Sequence, residues 1–436
     1  MPPYFAGNLS RMTLIHWLRV NAALLVILAA AVGLRLAAGA WWQSRLPPGD
    51  KFGFGDSDSY WALGRTIADG KSYQYGDAQV FRTPGYPLVL APLFWIGGDE
   101  PPPGWGFAES AVLGTAAVGG VYWLARNLFD RRAALIAAGI AAVYPGAISQ
   151  GALVLSEAPF VPLALVQLAL WGLASRSKSR RRTIWLSLAT GIVAGLATLM
   201  RPSWLLFTPL AVVVAMVTSR DRKRSLILSM TTITGLIVAM LPWWIRNDHV
   251  TGHFVPTTLQ VGASLYDGVR PGADGSSNMA FVETLSADQR VRDSIANPPL
   301  PPETFEYRLD QRMFESATVF VVNNPSRALN LAVTKFLRTW NIWPNEPGLR
   351  AWPLRLAVSA TYVPLVILGI WGAIRFSKRG WPYVLCWLPV PYFALLHMVF
   401  VGSIRYREPA MIALIPLAAG LLSEWWENWH AQRALP

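Results

Sequence analysis

Charge is scarce in this chain. Asp, Glu, Lys and Arg make up only 14% of its 436 residues, where a soluble domain carries about a quarter. Cysteine is nearly absent: the single Cys386 lies in an apolar run, which excludes an intrachain disulfide and a cysteine-built metal site. No internal repeat and no low-complexity linker interrupts the chain, so repeat architectures and tethered tails are excluded as well. Apolar residues are abundant. They account for 53% of the chain, the mean hydropathy is +0.33, and together these describe a multi-spanning membrane protein.

Ten apolar windows recur, at about 20–40, 106–126, 133–150, 155–174, 184–200, 203–219, 225–245, 353–374, 381–401 and 409–426. Each approaches the ~20 residues that cross the hydrocarbon as a helix. Two shorter pieces, 86–97 and 326–343, suit re-entrant or interfacial helices. The first window follows Arg11 and Arg19 and ends in Ala38-Gly39-Ala40. This imitates a cleavable signal, but its length and the spans beyond it predict an uncleaved first span. Arg35 inside that window must snorkel to the outer surface or pair with an acid.

The net charge of +13 is a topology signal rather than a nucleic-acid footprint. Four short loops at 126–132, 175–182, 220–224 and 375–379 hold fifteen Lys or Arg and two Asp. All four fall on one side of a ten-span chain, which makes that side cytoplasmic and puts both termini there. Tryptophans at Trp41, Trp42, Trp243, Trp244, Trp425 and Trp426 fall near span ends, as interfacial belts do. The expected architecture is one all-α membrane domain over 1–436, with elaborated outer segments at 41–105 and 246–352. In the second, the run 297–303 breaks any helix, and its flanks Ala287–Ala296 and Glu303–Phe314 suit short surface helices.

The same topology brings Asp56, Asp58, Arg82, Glu157, Arg201, Arg246, Arg405, Arg407 and Glu408 to the outer membrane face. Ionisable groups at that depth must pair or face water, and one polar cavity open outward accommodates them all. Asp56 and Asp58 open a helix that Gly70 can close. Asp58 reads as an N-cap. Asp56 falls outside the first turn, where an exposed carboxylate held beside a helix start suits a general base for a hydroxyl. Arg82 heads the stiff turn "RTPGYP", in which Gly85 permits a close backbone approach, and it suits an anion such as phosphate. Glu157 reads either as a helix-start acid or as a member of the cluster. Arg201 in "LMRPSW" and Arg246 in "PWWIRN" read as interface anchors or as partners of the "IRYREP" arginines in a phosphate clamp. The scattered His249, His253 and His397 have no ligand spacing.

The segment "DSDSYWALGRTIADG … FRTPGYPLVLAPL" resembles the Asp-Ser-x-x-Tyr … Arg-x-Pro-Gly-Tyr-Pro pattern of the family-39-like glycosyltransferases, bacterial relatives of protein O-mannosyltransferases and of the aminoarabinose transferase of lipid A. "YPGAISQGALVLSEAPF", "GLATLMRPSWLLFTPL", "PWWIRNDHVTGHFVPTTLQVG" and "RYREP" follow in the family's order, whereas 265–320 matches little. The resemblance implies the C-type glycosyltransferase fold and sugar transfer from a polyprenyl-phosphate donor to a lipid, glycan or protein acceptor outside the bacterial cytoplasmic membrane. It puts the catalytic aspartate at Asp56, with Asp58 and Glu157 beside it. It implies donor-phosphate contacts from Arg82 and from Arg405 or Arg407, with Arg201 and Arg246 as further candidates. Tyr60, Tyr86 and Glu408 are supporting residues. No cofactor is required on this reading, and a divalent ion beside Asp56, Asp58 and Glu157 stays open. The rivals are a transporter or flippase, which predicts mid-membrane charges and repeats, and a glycan polymerase or ligase, which also uses outer arginines.

Overall fold

The computed structural model describes residues 14–219, 221–296, 300, 304–344 and 351–433. Arg11, Arg220, both termini and most of the proline-rich run 297–303 lie outside the described residues. What is described is helical. In chain order the helices are α1 (Leu14–Gln43), α2 (Gly55–Ala68), α3 (Gly85–Gly97), α4 (Pro103–Leu128), α5 (Arg131–Val143) and α6 (Pro145–Ala152). They continue with α7 (Glu157–Arg176), α8 (Arg180–Met200), a 3-10 turn at Pro202–Trp204, α9 (Phe207–Thr218) and α10 (Arg222–Thr251). The outer segment supplies α11 (Val261–Val269), α12 (Phe281–Ile295), α13 (Phe305–Asn323) and α14 (Pro325–Thr339), and the chain closes with α15 (Trp352–Phe376), α16 (Trp381–Trp387), α17 (Pro389–Val399) and α18 (Ile404–Arg433).

All ten apolar windows are helical, but not all hold a single unbroken helix of spanning length. Among the described residues eight helices are long and apolar enough to cross a membrane, or nine if the bent pair α5–α6 counts as one. The window at 203–219 falls short because Pro202 opens a tight turn and leaves α9 with 12 residues, about 18 Å of helix. The window at 133–150 breaks where Pro145 denies the next turn its N–H, and the chain turns by 63°.

That break is where Arg35 goes. It neither snorkels nor meets an acid. It is 1% exposed and donates to the carbonyls of Ala31 (3.1 Å), Ala141 (3.2 Å), Ala142 (3.4 Å) and Ala147 (3.2 Å). Three of these are carbonyls around the bend, so the guanidinium serves as a cap for the end of α5. Its stem passes between Gly114 and Gly151, where any Cβ would come within 3 Å of its Nε.

The basic loops meet at one end of the bundle. Arg176 donates to Asn127 O at 2.5 Å, Arg224 to Ser175 O at 2.8 Å, and Tyr383 to Leu128 O at 2.8 Å. Arg375 and Arg379 both pair with Glu424. Segments 41–105 and 246–352 fold at the opposite ends of α10 and α18, where Arg246 and Arg405 reach Tyr73 and Asp56. There α2 and α3 form a hairpin through the ring pairs Trp61–Phe94 (4.8 Å) and Tyr60–Tyr86 (5.2 Å). Gly85 lets α3 lie against α8, since a Cβ there would meet Leu199 O at 2.5 Å. Trp243 is not part of an interfacial belt: it is buried and donates to Thr257 O at 2.7 Å.

Candidate active site

Five charged side chains from four distant stretches of chain converge at that end, opposite the basic loops. Asp56 lies in the first turn of α2, Arg82 in the turn before α3, Glu157 at the start of α7, Arg201 at the end of α8 and Arg405 at the start of α18. Arg405 is the bridge. Its Nε donates to Glu157 Oε1 at 2.6 Å and its Nη2 to Asp56 Oδ2 at 3.1 Å. Asp56 also takes Arg82 Nη2 on Oδ1 at 2.6 Å. Glu157, 1% exposed, also takes Arg201 Nη1 at 2.8 Å, and Arg201 Nη1 reaches Ser156 Oγ at 3.2 Å. Burial alone would raise the Asp56 carboxyl, but the Arg82 and Arg405 guanidiniums outweigh it and hold the group well below the usual carboxylate range. Asp56 is therefore ionised at any physiological pH.

Arg82 is fixed on three sides, by Ser59 Oγ (3.1 Å), Gln260 Oε1 (3.0 Å) and Asp56. The Tyr60 ring lies 5.0 Å from its guanidinium. Tyr86 supports this floor from below, with its hydroxyl 3.3 Å from Ser110 Oγ. The Tyr406 ring lies 5.4 Å from both the Arg201 and the Arg405 guanidinium.

Four residues selected from the sequence are placed otherwise. Asp58 is not the N-cap: Phe54 holds that position without a side-chain bond, and Asp56 as well as Asp58 sits in the first turn. Two residues along a helix is a 200° rotation, so Asp58 points to the opposite face. There it lines an outward cleft of about 550 Å³ with Asp50, Lys51 and Glu100, and burial and then Asp50 raise its carboxyl. Arg407, likewise two residues from Arg405, turns into the bundle. It pairs with Glu408 at 3.2 Å, donates to Thr339 O and Asn341 O, and lies 3.6 Å above the Tyr362 ring. Glu408 therefore belongs to a second buried pair. Arg246 donates to Tyr73 O at 2.9 Å and to Asn247, which puts it behind the Arg82 loop rather than on the cluster.

Because Asp58 is turned away, the three acids considered for a divalent ion do not converge, and no three His, Cys, Asp or Glu side chains gather as a cation site among the described residues. Three arginines around two carboxylates leave one net positive charge, which suits an anion. Ser59, Ser156, Tyr406 and Gln260 complete the cluster. Tyr406 was within reach of sequence reasoning, lying between two selected arginines, and Gln260 falls inside the quoted stretch "PWWIRNDHVTGHFVPTTLQVG" without having been singled out.

Residues 84–245 match the family model described as dolichyl-phosphate-mannose-protein mannosyltransferase. No curated protein matches the chain by sequence. Among solved structures, the archaeal oligosaccharyltransferase AglB from Archaeoglobus fulgidus, in complex with an inhibitory peptide and a dolichol-phosphate, superposes with a TM-score of 0.59 at 17% identity. That match covers 96% of this chain and 52% of AglB, so the chain spans about half the length of that enzyme. ArnT from Cupriavidus metallidurans bound to undecaprenyl phosphate is similar at 16% identity and a TM-score of 0.45, over 92% of this chain and 78% of that one. The chain is a multi-span membrane protein with the all-helical fold of the C-type glycosyltransferases.

Proposed function

We propose that this chain transfers a sugar from a polyprenyl-phosphate-linked donor to an acceptor hydroxyl at the extracytoplasmic face of the bacterial cytoplasmic membrane. The observation that carries the reading is the Asp56–Arg405–Glu157 bridge, at the end of the bundle opposite the basic loops. The positive-inside rule makes the basic end cytoplasmic, so the cluster faces outward. A phosphodiester carries one negative charge and matches the one net positive charge of the cluster. Arginines suit its oxygens because they remain charged and donate in pairs.

In the reaction the acceptor oxygen bonds to the anomeric carbon while the bond from that carbon to the phosphate oxygen breaks. The hydroxyl proton passes to Asp56, and the polyprenyl phosphate leaves with the electron pair. Fixed guanidiniums meet the charge that develops on the leaving group. Asp56 clamped by two arginines is a weak base. As the donor phosphate takes up Arg82 and Arg405, their hold on the carboxylate loosens and its proton affinity rises into a useful range. The outer segment 246–352 is the natural place for the lipid, glycan or protein acceptor, and no step requires a metal ion.

The test is transfer by the purified protein in liposomes, offered a panel of polyprenyl-phosphate sugars with envelope lipids and glycans as acceptors. Wild-type protein should release polyprenyl phosphate and Asp56→Asn should not. Equal release by Asp56→Asn would remove Asp56 as the base, and no release from any donor would reject the transferase reading.

A further inference from the structure

The outer segment contributes one side chain to the cluster. Gln260 lies 178 residues from Arg82 in sequence, yet its Oε1 accepts from Arg82 Nη1 at 3.0 Å. Its mounting is stiff. The neighbouring Leu259 N donates to Val80 O at 3.0 Å. Glu306 Oε2 accepts from Gln79 N at 2.8 Å and Val80 N at 3.0 Å. Asp310, one turn further along α13, accepts from Gly262 N at 2.7 Å and so holds the start of α11 just after Gln260. The backbone of the Arg82 loop and the support of Gln260 are thus tied to the same helix, with the amide between them.

A guanidinium only donates, so the amide oxygen must face Arg82 and the amide NH₂ must face away. The contact fixes the guanidinium without neutralising it. A carboxylate at this position would take a full share of the Arg82 charge and leave the cluster with no net charge. An apolar residue would release Arg82 to swing between Ser59 and Asp56. We propose that Gln260 is a positioning residue: it sets the Arg82 guanidinium beside Asp56 while leaving its charge for an incoming anion. This places the outer segment in the anion site. The identity of that anion as a donor phosphate rests on the proposed function.

The test combines a readout that needs no substrate with one that does. Arg82 in the full-length protein is labelled with phenylglyoxal, and its modification rate is followed by mass spectrometry in wild type, Gln260→Ala and Gln260→Glu. Modification should speed up in the Ala variant and slow down in the Glu variant. Unchanged rates, or rates that move in the same direction, overturn the proposal. In transfer assays the KM for the polyprenyl-phosphate sugar should rise about tenfold or more in both variants, the size of one hydrogen bond to a charged group, with kcat nearly kept. A fall in kcat at unchanged KM in both would equally overturn it. Opposite shifts in labelling with no transfer by wild type would sink the proposed function and leave the positioning role standing.

Discussion

Replacing Arg405 by methionine removes the bridge but keeps most of the packing. Each carboxylate then retains one arginine, Arg82 on Asp56 and Arg201 on Glu157. A hydrogen bond to a charged group is worth ~1.5–3 kcal/mol. The Asp56 side chain is 37% exposed, so water screens part of this and the low end applies. At ~1.4 kcal/mol per pH unit, the Asp56 carboxyl should climb by about one unit or slightly more. The sign follows from the direction of its shift. In the wild type the arginines hold Asp56 below the usual carboxylate range, so it stays ionised throughout the mildly acidic range and contributes no acid limb there. Without Arg405 burial is less opposed, but a climb of that size still leaves Asp56 ionised above about pH 4.5, so the profile should stay free of an acid limb while turnover falls. The assay is donor turnover from pH 4.5 to 8 in wild type, Arg405→Met and Arg405→Lys. Lysine offers one nitrogen where the bridge uses two, so it should reach only one carboxylate and lose ~10-fold or more in kcat/KM. An acid limb in the Arg405→Met profile above about pH 4.5, or an Arg405→Lys variant with wild-type turnover, would refute this account of the bridge.

Three further outcomes follow from the geometry. Asp58→Asn should keep transfer within about twofold, because Asp58 is exposed on the far face of α2 and exposed charges contribute little; a loss like that of Asp56→Asn would contradict this. Arg407→Met should lower the thermal unfolding temperature by removing a fully buried partner of Glu408, at a cost of about 3–5 kcal/mol, while the donor KM of the folded fraction stays at the wild-type value. Burial pushes the Asp310 carboxyl up to about 6 from 3.8. The folded state then binds more protons than the unfolded between those values, and stability falls as pH rises through that window, by at most about 3 kcal/mol. Asp310→Asn should flatten the unfolding temperature between pH 4 and 6.5, and parallel curves would count against the assignment.

How much of this was legible in the sequence depended on which physical rule each feature obeys. Helical class follows from apolar windows, and all ten windows are helices. The number of long unbroken helices does not, because Pro202 and Pro145 shorten or bend windows of adequate hydropathy. Convergence of Asp56, Arg82, Glu157, Arg201 and Arg405 could be argued from span parity and basic loops alone. The side-chain directions could have been had as well. Asp58 and Arg407 each lie two residues from a member of the cluster, and once helix is accepted that spacing turns them away. Arg35 was misjudged for a different reason. Buried arginines are expected to seek acids, and no pattern in the sequence reveals that a bend 106 residues later would offer bare carbonyls instead. Gln260 escaped notice although it lies in a stretch quoted for the resemblance, because an uncharged amide does not stand out among the ionisable groups that were followed.

Arg35 also imposes a timetable on synthesis. Its partners on α5 and α6 lie 106, 107 and 112 residues downstream. At roughly 5–20 residues per second, the ribosome needs about 5–20 s to make them after Arg35 emerges. For that interval the first span holds a cation that lipid cannot satisfy, so it must wait near water or at the insertion machinery until the α5–α6 bend arrives. α1 is thus seated only after α4, α5 and α6 have followed it, ahead of the helices from α7 onward.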